Sequence, residues 1–75
     1  MTPMTLHELQ ALAALAGADL TPAEISTETG LSVRTVRRAL WNLAYASMIS
    51  IQSTGRYTMT RSGRTVYTAK RRLLV

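Results

Sequence analysis

Apolar positions along the chain recur first at helical spacing and later at alternate residues, and turn signals divide it into six short elements. Leu6, Leu9, Ala13 and Ala16, with Leu12 and Leu15 beside them, form a stripe at three- and four-residue intervals. Thr5 and Glu8 ahead of it have the spacing of a capping box, in which each side chain satisfies a free N–H of the first turn. The first helix is predicted from Met4 to Ala16, with Gly17 ending it and Ala18 to Leu20 left for a strand stub or turn. Thr21, Pro22 and Glu24 repeat the start signal, with proline where its missing N–H costs nothing, so a second helix is predicted from Pro22 to Thr29. Gly30 closes it, and Ser32 is placed to cap a third helix from Val33 to about Ala46. The buried side of that helix is expected at Val36, Leu40 and Leu43, flanked by Val33, Ala44 and Ser47.

Beyond Ser47 the period falls to two. Ile49 and Ile51 alternate with Ser50 and Gln52, and Tyr57 and Met59 with Arg56 and Thr58, which predicts a hairpin. A loop of Ser53, Thr54 and Gly55 pairs Ile51 with Tyr57 and Ile49 with Met59, putting all four on one face, and Gly55 supplies the positive φ such a loop needs. A final stripe of Val66, Ala69, Lys70 and Leu73 reads as a helix from about Ser62 to Leu74, with a third strand from Arg64 to Thr68 as the alternative.

Seventy-five residues allow one domain, taken as residues 1–75, and a small core that a partner subunit would relieve. With no cysteine there are neither disulfides nor thiolate ligands, so a cytoplasmic protein is expected. No apolar run is long enough to cross a bilayer, so no membrane partner is expected. The lone His7 and its neighbour Glu8 have no second ligand or nucleophile at useful spacing, and no phosphate-binding glycine loop is present. The expectation is therefore a protein that is not an enzyme, with no catalytic residue, metal, cofactor or small-molecule substrate.

Charge changes the picture most. All four acids, Glu8, Asp19, Glu24 and Glu28, precede residue 29, and all nine basic residues lie between Arg34 and Arg72 with no acid among them. Such a division makes a polyanion the leading partner, and eight of the nine are arginine, which suits bidentate contacts to phosphate or guanine.

The segment GLSVRTVRRAL, Gly30 to Leu40, resembles the helix-turn-helix of bacterial and phage DNA-binding proteins, whose pattern runs G-V-S-x-x-T-V-x-R-x-L. Leu31 is its one conservative departure, and Ser26 stands where that family usually has alanine. A hairpin after the third helix makes the resemblance one to the winged helix-turn-helix domain, and YTMTRSGR is similar to the step by which MarR-like and PadR-like regulators leave the wing for a C-terminal helix. The implied fold is mainly α with a small β-hairpin: three N-terminal helices with the helix-turn-helix at about 21–46, a two-stranded wing at about 48–60 and a terminal helix at about 62–74.

On a helical wheel Arg34, Arg38, Trp41 and Tyr45 fall opposite the apolar side of the third helix, with Arg37 at its flank. Arg34 and Arg37 are the candidate base readers, and Ser32, Thr35 and Arg38 the candidate phosphate holders, against the plainer reading of a solvated arginine face. Arg34 lies against the positive end of the helix dipole, an arrangement that favours an anion at that terminus. Trp41 and Tyr45 either touch sugar and phosphate or pack under a neighbouring element, and packing or a protein interface is the favoured expectation. Arg56 beside the hairpin tip suits the minor groove or flanking backbone, or simply solvent, and Arg61 and Arg64 could add phosphate contacts. Lys70, Arg71 and Arg72 suit the C-terminal end of a helix dipole and need no ligand. Val66, Ala69 and Leu73 can cover the core or meet a second subunit, and the resemblance implies a homodimer. The function so implied is sequence-specific binding of double-stranded DNA by a small transcription regulator acting through operator occupancy. The competing class is a protein-interaction module, such as an inhibitor of a host protein or a subunit of a replication or recombination assembly.

Overall fold

A computed structural model of the protein describes residues 4–74. Residues 1–3 and 75, which the single-domain reading includes, lie outside the described residues. The order is α1 (Leu6–Ala14), α2 (Pro22–Thr29), α3 (Val33–Tyr45), β1 (Ile49–Ile51), β2 (Tyr57–Met59) and α4 (Arg61–Lys70), which runs on into a 3-10 turn at Arg71–Leu74. The protein is thus mainly helical with one two-stranded antiparallel hairpin.

Both capping boxes form. Thr5 Oγ1 accepts from the Glu8 N–H and Glu8 Oε1 from the Thr5 N–H, at 3.2 and 3.1 Å, and Thr21 and Glu24 repeat the exchange at 3.2 and 2.9 Å. α1 is shorter than its apolar stripe implied, because Leu15 and Ala16 already bond three residues back to Leu12 and Ala13 and tighten the last turn. α2 has its predicted bounds and ends at Gly30, whose φ of 76° lies in the left-handed region. α3 stops one residue before its predicted end. Its Ser47 N–H donates to the Ala44 carbonyl and its Met48 N–H to that of Leu43, the paired bonds of a Schellman ending, with Ser47 at φ 62° where glycine is usual.

The core joins Ala11, Leu12 and Leu15 of α1 and its C-terminal cap to Ile25 of α2 and to Val36, Ala39, Leu40 and Leu43 of α3, with Ile49 entering from β1. Two expectations of the apolar pattern fail here. Val33, Ala44 and Ser47 are exposed rather than flanking the buried side of α3, and Ala39 is buried there instead. Leu6, at the outer end of the first stripe, is 56% exposed.

The hairpin has the predicted register, Ile49 opposite Met59 and Ile51 opposite Tyr57, and Gly55 has φ 85°. Of the four side chains on its apolar face only Ile49 is fully buried, since Ile51 lies beyond the reach of α1 and α3. The stub at Leu20 pairs with Tyr57 through two backbone hydrogen bonds of 3.2 and 2.7 Å. The terminal segment is helix, not a third strand, and it starts earlier than predicted because Thr60 is its cap, accepting from the Gly63 N–H at 3.1 Å. Val66 and Tyr67 lean on the core while Ala69 and Leu73 are exposed. The three residues assigned to a subunit contact therefore do not form one free face, because Val66 already covers this chain's own interior.

Candidate nucleic-acid interface

α3 turns its apolar side to α1 and α2, so its remaining side is solvent-facing by construction. Arg34, Arg37 and Arg38 are all exposed there, and among the described residues none makes a hydrogen bond or ion pair. Ser32 caps the helix by accepting from the Thr35 N–H at 3.1 Å, and its hydroxyl donates to Thr35 Oγ1 at 2.9 Å. Its proton is thereby committed, whereas the Thr35 hydroxyl proton is free to donate outward. Thr35 and Arg38 border a shallow groove of about 240 Å³ against the first turn of α1, where Thr5 and His7 face them. Asn42 closes its far end by donating to Glu8 Oε2 at 2.8 Å. Five of the predicted residues are thus gathered at the N-terminal half of α3, with the cap Ser32, Arg34, Arg37 and Arg38 exposed and Thr35 half-buried toward α1.

The other three are not brought to that face. Arg56 turns back on the connection between α1 and α2, where its Nη1 lies 2.7 Å from Glu24 Oε1 and 3.1 Å from the Asp19 carbonyl oxygen. Gln52 completes the attachment by donating to Asp19 Oδ2 at 2.9 Å. The Glu24 carboxyl is held below its ordinary value first by the Thr21 N–H it accepts; burial partly opposes this, and the Arg56 charge adds to it. Arg56 is therefore a clamp on the hairpin rather than a free side chain at its tip. Arg64 donates to the Ala16 carbonyl at the end of α1, at 3.4 Å. Arg61 is exposed at the start of α4, beyond the hairpin in the chain. No local sequence signal marks the Arg56 and Arg64 contacts, because their partners lie 32 to 48 residues away.

Trp41 and Tyr45 do not pack within the chain. They are 75% and 89% exposed. Both lie on the stripe begun by Arg34 and Arg38, since residues 34, 38, 41 and 45 fall within an arc of about 60° on a helix of 3.6 residues per turn. The turn between α2 and α3 is held by a bond the sequence pattern does not announce: Ser26 Oγ donates to the Leu31 carbonyl at 2.6 Å. Serine at this place thus does more than keep the helices close.

Among the described residues no cluster of histidine, aspartate and glutamate could hold a metal ion, and no helix is long and apolar enough to cross a membrane. These features define a small, mainly helical domain that presents one basic, aromatic-tipped helix face. The chain matches the family model of the HVO_A0261 N-terminal domain over residues 4–75 and belongs to that family. No curated protein matches it.

Proposed function

We propose that this is a winged helix-turn-helix domain that binds double-stranded DNA in a sequence-specific manner, with α3 in the major groove and the hairpin as the wing. One observation carries the reading: α3 holds its core with one side and keeps three unpaired arginines on the other. A helix with side chains fits a major groove about 12 Å wide, and arginine is suited to the O6 and N7 acceptors of guanine. Arg34 and Arg37 read bases. Arg38, Thr35 and the groove beside α1 hold a phosphate, and Arg61 reaches the backbone further along. The Arg56 clamp sets the angle of the wing instead of entering the minor groove.

Such a domain acts without catalysis or cofactor, as a cytoplasmic transcription regulator working by operator occupancy. A homodimer would place two copies of α3 about 34 Å apart, one turn of duplex. Ala69 and Leu73 remain open for that contact. The exposure of Trp41 and Tyr45 is what favours the competing reading, a protein-interaction module.

Selection of bound fragments from random duplex DNA tests the proposal, with a palindromic product as the mark of a dimer. On the selected site, log K should fall with log salt at a slope near about −5 for six phosphate contacts. Arg34→Ala and Arg37→Ala should each cost about 1–3 kcal/mol and relax one base position. Absence of enrichment, with tight and salt-insensitive binding to a protein, would replace this reading by the interaction module.

A further inference from the structure

The aromatic end of α3 lies on the same exposed stripe as its arginines. From Arg34 to Tyr45 the stripe spans about 16 Å at 1.5 Å per residue. An indole left 75% exposed between Arg38 and Tyr45 carries apolar surface with no partner among the described residues. Its surroundings restrict what can cover it. A second copy docked face to face would set six arginines in one contact, even where an antiparallel pairing puts Arg34 and Arg38 against Tyr45 and Trp41, with no acid on either stripe to offset them. The occupant must tolerate concentrated positive charge and still offer an apolar group.

Resting on the assignment of α3 to the major groove, we infer that Trp41 is a specificity-determining residue that reads the 5-methyl group of thymine. Among base edges in that groove, this methyl is the one apolar feature, flanked by phosphates that match the arginines. Trp41 follows Arg34 by seven residues, about 10 Å, or roughly three base steps. The thymine therefore lies two to three base pairs, as an approximate spacing, from a guanine met by Arg34. Tyr45, one turn beyond, reaches the sugar–phosphate backbone, where its hydroxyl donates to a phosphate oxygen.

The test replaces each thymine of the selected duplex, one at a time, by deoxyuridine, which removes only the methyl and keeps the pairing. The wild-type protein should lose affinity by about three- to tenfold at one or two positions, the scale of one buried methyl against an indole. Trp41→Ala should bind the thymine duplex more weakly by a similar factor and become indifferent to the replacement there. Its melting temperature should match the wild type, because Trp41 contributes nothing to the core. Trp41 is the only tryptophan, so its fluorescence should become protected from acrylamide on the thymine duplex and less so on the deoxyuridine one. Equal wild-type affinity for both bases at every position would overturn the inference, as would a Trp41→Ala protein that keeps the preference or that loses a homodimer instead. Failure to bind any duplex, with binding to an acidic protein, would overturn the underlying DNA assignment as well.

Discussion

Gly63 is the residue whose replacement tests the packing of α4 most directly. It occupies the third position of α4, where its N–H donates to the Thr60 hydroxyl and its α-carbon lies against the start of β1. A Cβ built there would overlap the Met48 carbonyl oxygen, and would lie 2.9 Å from the Met48 carbonyl carbon and 3.1 Å from Met59 Cγ. The Met59 side chain can rotate away, but the Met48 carbonyl cannot, because it accepts the Thr60 N–H at 3.0 Å. Gly63→Ala must therefore push α4 off the hairpin. Overpacking of this kind costs about 1–3 kcal/mol, and a backbone obstacle places it near the upper end. Alanine regains about 1 kcal/mol of helix propensity over glycine. The net loss is about 2 kcal/mol, or about 8–16 °C in Tm at 4–8 °C per kcal/mol for a domain this small. Thermal and urea unfolding followed by circular dichroism measure it. Gly17→Ala is the matched control, since no atom lies within 4 Å of its Cβ and its φ is not left-handed. That variant should be neutral or slightly stabilised by its stiffer unfolded chain. A Gly63→Ala protein at least as stable as the wild type would refute the steric argument.

Three further changes probe the scaffold around α3. Ser26→Ala removes the donor to the Leu31 carbonyl and should cost about 0.5–1.5 kcal/mol in urea unfolding, with a matching loss of duplex affinity if the α2–α3 turn loosens. Ser47→Gly should raise stability by about 0.5–1 kcal/mol, because the left-handed conformation strains a residue with a Cβ, and an unchanged or lower midpoint would contradict this. Glu24 has a lowered carboxyl pKa, so its contribution to stability is complete above its ordinary value of 4.5 and is lost as pH falls through the lower folded-state value. The difference in Tm between the wild type and Glu24→Gln should accordingly shrink on acidification below that point, and a difference independent of pH would exclude the carboxylate as its source.

What could be read ahead of the structure follows from how local the deciding interactions are. The bounds of α2, the cap of α3 and the hairpin register all rest on contacts within about five residues: the Thr21–Glu24 capping box, Gly30, the Ser32 cap, and a three-residue loop ending in Gly55. The gathering of Ser32, Arg34, Thr35, Arg37 and Arg38 followed equally from one helical period. Arg56 escaped because its partner Glu24 acts twice, accepting from the Thr21 N–H at its own helix start and from a guanidinium 32 residues away. The separation of acids from bases is matched internally at one pair among the described residues, Glu24 with Arg56, while Glu8 and Asp19 hold the neutral amides of Asn42 and Gln52. Trp41 and Tyr45 were expected to pack within the chain or at a protein interface, and the outward side of their wheel position overturns the first of these. Ala39 was overlooked because a single methyl scarcely registers in an apolar pattern, although it is buried in the core.

The short bridge at Leu20 has a consequence for how this molecule behaves when crowded. By bonding both the N–H and the carbonyl of Tyr57, Leu20 occupies the outer side of β2 at its first residue. The open rims of the sheet are left only a few residues long, too short to template the addition of a foreign strand. Runaway stacking through backbone ribbons is thereby discouraged. Self-association of this domain must instead proceed through side chains, where charge and shape govern which copies meet.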